Sequence, residues 1–216
     1  LSSRREYTKL NPFVVLLGKG EHEITSTYED PYDDDGDSEW GRFTRQSTCR
    51  IMCNNITFLG QGKEETIIKG AFAIEEQQNI MFKKMTLTNS SSAGMYIYDA
   101  EVELNDVVIK NCVRYALNMN AFDNSTTLVA RRCEFKECQG GMSSGEGTEI
   151  TSVHFHDCTF HAHKVYGLFV DQRSIVHLYG ESTAVHSNGH DGIFAQGYEA
   201  KVLIHLPSHH NTSYNN

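Results

Sequence analysis

The chain has 216 residues, 39% of them apolar, with 28 acidic against 19 basic side chains and a formal net charge of −9. That length fits one domain, and the acidic balance disfavours binding to a phosphate backbone, which needs clustered Lys and Arg. No apolar run approaches the ~18 residues of a membrane-spanning helix, so neither nucleic acid nor a membrane is expected as a partner.

The opening Leu1-Ser2-Ser3-Arg4-Arg5 carries no initiator Met and no signal-peptide pattern, which points to a processed or excised piece. The first element is Val14-Val15-Leu16-Leu17, closed by Gly18-Lys19-Gly20 and followed by Glu23-Ile24. Residues 25–48 then interrupt it with Glu29, Asp30, Asp33, Asp34, Asp35, Asp37, Glu39 and Trp40. Removing those seven acids would bring the net charge to −2, so most of the acidity sits in one loop. Asp33, Asp35, Asp37 and Glu39 alternate and present oxygens suited to Ca²⁺, but Ser38 stands where an EF-hand loop wants Gly. The insertion therefore reads as a solvated acidic loop, with Ca²⁺ or a basic partner as alternatives; no other cofactor is expected. Cys49 and Cys53 then flank a strand around Ile51.

From residue 56 onward a pattern takes over. Apolar–polar–apolar triplets begin at Ile56, Ile80, Val102, Leu128, Val153, Val176 and Ile204, at intervals of 24, 22, 26, 25, 23 and 28 residues. Alternation of this kind marks a strand with one buried face, and a fixed period in this range marks stacked repeats. A second strand follows each triplet: Met85-Thr86-Leu87, Val107-Val108-Ile109, Cys133-Glu134-Phe135, Cys158-Thr159-Phe160 and Thr183-Ala184-Val185. Next comes a polar turn, at Asn89-Ser90, Asn111-Cys112, Glu137-Cys138, Ala162-His163 and Ser187-Asn188. A small residue then introduces a third strand at Gly94-Met95, Ala116-Leu117, Gly141-Met142, Gly167-Leu168 and Gly192-Ile193, where glycine is expected to supply a backbone geometry that a Cβ obstructs. Three short strands per coil of about two dozen residues predict an all-β, right-handed parallel β-helix of about seven coils. It is expected to form one domain over 1–216 with a polar tail at about 208–216. An antiparallel sandwich would instead show hairpin turns every 8–12 residues.

With Asn55-Ile56-Thr57-Phe58-Leu59-Gly60-Gln61-Gly62, Thr66-Ile67-Ile68 and Asn188-Gly189-His190-Asp191-Gly192-Ile193, residues 13–207 resemble the right-handed parallel β-helix, or pectin-lyase-like, superfamily. They are also similar to uncharacterised microbial β-helix repeat proteins. The resemblance implies the fold. Where members of the superfamily are enzymes, it implies cleavage or epimerisation of acidic polysaccharides by clustered Asp, or by Asp-bound Ca²⁺ with a basic residue.

Candidate site residues fall into three groups. The middle residues of the last three triplets are His154, His177 and His205, expected as one outward ladder ~4.8 Å apart, with His156 on the same face. His161 over His186 makes a second outward pair, with His163 nearby. A flat ladder splays its rings side by side, so a titrating polar face is expected there rather than a metal site. Tyr96, Tyr98, Phe169 and Phe194 lie on the third strand, as an aromatic platform or as core. The catalytic candidates are Asp171, Arg173, His177 and Asp191, with an aspartate or histidine as base and arginine offsetting a uronate carboxylate. Tyr166-Gly167-Leu168-Phe169-Val170-Asp171 resembles a segment of alginate epimerases, but Gln172-Arg173 departs from the Pro-His that follows there. Asn188-Gly189-His190-Asp191-Gly192 resembles a polygalacturonase segment whose partner motifs are absent. The six cysteines read as free thiols. Cys133 and Cys158 share an inward column, and parallel side chains keep their Cβ atoms too far apart for an easy disulfide.

These features favour a non-catalytic repeat module that presents an extended face to a protein or polysaccharide partner. A polysaccharide lyase, epimerase or hydrolase is the alternative. The polar end beyond Pro207 leaves three options for the last coil: further coils, a tail that covers it, or end-to-end self-association.

Overall fold

The computed structural model describes residues 6–29, 44–45, 47–145, 147–205 and 213–216. The candidate Ca²⁺ ligands Asp33, Asp35, Asp37 and Glu39 lie outside them.

The chain winds as a stack of three-sided coils. The first side holds Phe13–Leu16, Ile56–Leu59, the start of Ile80–Thr88, the start of Glu101–Lys110, Thr126–Arg131, Thr151–His156, Ser174–Tyr179 and Lys201–His205. The second holds Gly20–Glu23, Thr66–Lys69, the ends of Ile80–Thr88 and Glu101–Lys110, Glu134–Lys136, Thr159–His161, Ala184–His186 and Ser213–Tyr214. Because two strands run through both sides, these columns join as one 14-stranded sheet. The third side is a sheet of seven: Thr48–Ile51, Ala71–Glu75, Met95–Tyr98, Tyr115–Asn120, Gly140–Ser144, Leu168–Val170 and Ile193–Ala195. Both sheets are parallel throughout. An antiparallel pair, Tyr28–Glu29 with Thr44–Arg45, flanks the acidic insertion.

Register explains the core. Ile56, Ile80, Val102, Leu128, Val153 and Val176 stack as one inward column, and Phe58, Phe82, Leu104, Ala130, Phe155 and Leu178 as another. Apart from the half-buried Phe58, all of these are buried. Like residues one coil apart stack face to face, as Phe58 does on Phe82 (4.9 Å) and Phe135 on Phe160 (4.7 Å). Cys133 and Cys158 fill the next inward position beneath Val107, as small buried apolar groups.

Two corners set the triangular section. At the first, Lys84, Asp106, Arg132 and Asp157 all adopt φ between 51 and 55°. Their charges alternate up the corner, and Arg132 grips Asp106 through Nε (2.9 Å) and Nη2 (2.8 Å). That grip holds the Asp106 carboxyl below its ordinary range. At the second corner, Asn89, Asn111, Glu137, Ala162 and Ser187 are left-handed as well, a geometry that Asn tolerates best. The residue after each turns inward, giving the column Ser90, Cys112, Cys138, His163 and Asn188, all buried. Each backbone N–H from Cys112 on donates to the side chain one coil further along. Cys112 donates to Cys138 Sγ (3.3 Å), Cys138 to His163 Nδ1 (3.3 Å), His163 to Asn188 Oδ1 (3.2 Å) and Asn188 to Asn216 Oδ1 (3.3 Å). This ladder satisfies donors that the bend removes from the sheets.

Two expectations change. The small residues opening the third strand are needed for space, not for a special backbone conformation: Gly94, Gly141 and Gly167 are absent from the left-handed positions. A Cβ on Gly141 would stand 2.3 Å from the Gly167 carbonyl, and one on Gly167 2.6 Å from that of Gly192. The final triplet also shifts. Val202-Leu203-Ile204, not Ile204-His205-Leu206, pairs with Val176-His177-Leu178. His205 therefore stands beside Tyr179 instead of His177, because Val202 and Ile204 continue the two inward columns.

Candidate functional site

The first sheet carries a two-column ring array on its outer face. One column is His154 over His177, parallel within 4° at 4.6 Å. The other is His156, Tyr179 and His205, with centroids 4.5 Å apart at each step. The rings stack along the coil axis, so the array offers solvent their edges, with ring nitrogens and one phenol, while their faces cover each other. His177 leans across the columns. Its Nδ1 is 3.0 Å from His205 Nε2 and 3.3 Å from the Tyr179 hydroxyl. Burial, followed by neighbouring cationic groups, pulls the pKa of His154, His156 and His177 below the ordinary histidine value. On the second side His161 stacks on His186, and His186 on Tyr214. Glu134 accepts from Lys136 and pairs with His161, both at 2.9 Å.

The third sheet carries a groove. Its floor is Asn118, paired in register with Ser143, which is followed in the same column by Phe169 and Phe194. Phe169 and Phe194 stack at 5.7 Å and Tyr166 closes over Phe194 at 5.1 Å, all half-buried. Tyr115 stands next to them. Gly140 makes room for it, since a Cβ there would meet the Tyr115 ring at 2.4 Å. Arg114 and Asp171 line the same groove, at opposite ends of the strands by register. The exposed guanidinium of Arg114 has no acidic partner among the described residues. A narrower apolar cleft lies under Lys9 and Pro12 against Met81, Val102 and Val129, and Lys9 ties to Glu101 across it at 2.9 Å. Thr57, Asn79 and Glu103 also line it.

Tyr96 and Tyr98 do not belong to an open platform. They are 1% and 3% exposed and pack with Tyr28, Ala73, Ala93 and Phe122 in a separate cluster. Tyr28, from the start of the insertion, lies 6.2 Å from Tyr96, whose hydroxyl is spent on Ser92. Beside this cluster Glu75 is buried within 2.7 Å of Arg50 Nη2. Burial and then Glu76 push its carboxyl up to about 7.

The four catalytic candidates are not brought together. Asp171 follows the strand Leu168–Val170 and accepts from Gln172 N (2.8 Å) and Gln196 Nε2 (3.3 Å). Asp191 sits before the neighbouring strand Ile193–Ala195 and faces His190. Register puts the two acids about five residues apart along the strand direction, roughly 16 Å, beyond the separation that paired-carboxylate hydrolysis uses. Arg173 turns at φ 49° and spends its guanidinium on the Thr148 carbonyl and Glu199. His177 is on the first sheet. Among the described residues no group of three or more His, Cys, Asp or Glu is placed to hold a metal ion. Arg114, Tyr115, Asn118, Ser143, Tyr166 and Tyr179 are the functional candidates that sequence reasoning missed. Only the alternation could have flagged Asn118 and Ser143, as polar residues at outward positions.

Parallel coils, three-sided section and outward polar columns define a β-helix solenoid. Residues 42–182 match the family described as the right-handed β-helix region, and the chain belongs to that family. A search of curated proteins finds no match.

Proposed function

We propose that this chain is a non-catalytic β-helix module that binds a carbohydrate polymer along the outer face of its third sheet. One observation carries the reading: the groove combines half-buried rings (Tyr115, Phe169) with amide and hydroxyl groups (Asn118, Ser143) and a guanidinium (Arg114) that has no acidic partner among the described residues. A pyranose has apolar C–H faces and a belt of hydroxyls, so it needs a ring to lie on and fixed donors and acceptors beside it. An open strand-lined groove suits a chain of such units, as solenoid faces suit extended partners. The ring array on the first sheet fits a sugar less well, because its faces are already stacked.

The second reading is a polysaccharide-active enzyme, favoured by Asp171 lying in the same groove. Retention of the protein on immobilised neutral and acidic polysaccharides tests the proposal. Tyr115→Ala or Asn118→Ala should each weaken retention on a bound polymer by roughly tenfold, the equivalent of about 1–1.5 kcal/mol. No retention on any polymer would sink it and move the partner to a protein.

A further inference from the structure

We propose that His177 and His205, with the Tyr179 hydroxyl beside them, form a surface site for a divalent late-transition ion such as Cu²⁺ or Ni²⁺, which ties the last strand of the first sheet to the strand before it. The site exists because of the register. Had His205 stacked squarely on His177, the two rings would lie face over face, as those of His154 and His177 do at 4.6 Å. Paired instead with Tyr179, His205 lies diagonal to His177, and the two rings bring nitrogens face to face at 3.0 Å. Among the described residues no other pair of histidines has ring nitrogens in hydrogen-bond contact.

The spacing is that of neighbouring ligands on one ion. Donors bound at about 2.0–2.1 Å stand about 2.9 Å apart at right angles and about 3.4 Å apart in a tetrahedron. The observed separations from His177 Nδ1 are 3.0 Å to His205 Nε2 and 3.3 Å to the Tyr179 oxygen. Both rings can bind while neutral, if each carries its proton on the nitrogen away from the ion; no net proton loss is required. His205 is exposed, so water completes the coordination. Nitrogen donors without a carboxylate select imidazole-loving ions over Ca²⁺ and Mg²⁺, and Cu²⁺ binds tightest of the first-row series. The consequence is mechanical. Lys201–His205 is the edge strand of its sheet and mostly exposed, and an ion shared with Ser174–Tyr179 fastens it.

Cu²⁺ titration in a non-chelating buffer, followed by calorimetry and by the nitrogen hyperfine pattern in electron paramagnetic resonance, tests this. One saturable equivalent with two coordinated nitrogens is expected, together with a higher melting temperature. Removing an outer partner of a metal ligand already costs ~10-fold in affinity, so H177A and H205A should each cost more. Y179F should retain the two-nitrogen signature, as should H154A and a variant lacking His209 and His210. Circular dichroism establishes that each variant is folded. No saturable binding by the wild type overturns the proposal, and so does binding that survives both H177A and H205A, or that disappears with His209 and His210.

Discussion

The buried ladder at the second corner makes the sharpest demand on the fold, and Asn188→Ala tests it. Asn188 is 4% exposed. Its Oδ1 accepts from His163 N (3.2 Å), and its Nδ2 donates to Asn216 Oδ1 (2.8 Å) and the Phe160 carbonyl (3.4 Å). Alanine strands the His163 N–H in the interior, while the Phe160 carbonyl stays in the strand ladder with Ala184–His186 and Asn216, which is exposed, turns to water. One buried unsatisfied N–H gives a loss of about 1–3 kcal/mol. The alternative, that a corner asparagine merely favours a turn, is worth well under half of that. Guanidinium unfolding followed by far-ultraviolet circular dichroism measures it, as a lower midpoint at unchanged slope. A loss below about 1 kcal/mol would refute the ladder as a structural element.

Other consequences are quicker to check. Gly141→Ala forces a Cβ onto the Gly167 carbonyl and should cost about 1–3 kcal/mol by overpacking, read from the same unfolding curves; no loss would mean that the coils can separate there. The histidines of the ring array have folded pKa values below their unfolded value. Their contribution is therefore complete above about pH 6.5 and lost as pH falls through the lower folded values. Thermal melts between pH 7.5 and 5.5 should show that decline, and a triple His→Gln variant at 154, 156 and 177 should flatten it; an unchanged slope contradicts the assignment. In native alkylation followed by mass spectrometry, exposed Cys53 should react first and half-buried Cys49, whose thiol burial pushes up, more slowly. Cys138 is the informative thiol. Cys112 first, and then His163, pull it down to about 6, yet it is fully buried. Access should win over acidity, leaving Cys138 unmodified until the protein is denatured; rapid labelling of Cys138 would show that the corner opens.

The coils were legible because the contrast between inward and outward positions is strong and repeats: Ile56, Ile80, Val102 and Leu128 could be aligned by eye, and the structure aligns them identically. The last coil was misread for a physical reason. Val202 to Leu206 is apolar at every position except His205, so alternation no longer distinguishes two registers, and the inward columns beneath decide. Tyr96 and Tyr98 were placed on the correct strand, but a sequence does not show what covers an outward face. Here Tyr28, far away in the chain, contributes to the cover. The corner positions were aligned as a recurring polar turn, but their hydrogen bonds escaped, because Cys112, Cys138, His163 and Asn188 have in common only a corner position, and the last three an acceptor atom for the coil before. The groove escaped because Arg114 and Tyr115 precede Ala116-Leu117, where the repeat opens the third strand, and only the Gly140 gap shows where the Tyr115 ring lies.

The central claim is that the third sheet holds a carbohydrate without breaking it. The direct measurement takes an oligosaccharide from whichever polymer retains the protein and follows both molecules. Mass spectrometry follows the sugar, and hydrogen exchange follows the backbone at 115–120, 140–145 and 168–171. The account predicts an oligosaccharide of unchanged mass and slowed exchange in those three segments, with both slowing and retention lost in Asn118→Ala. A shortened or epimerised sugar, produced by the wild type but not by Asp171→Ala, would contradict it and place the chain among the polysaccharide-active β-helices.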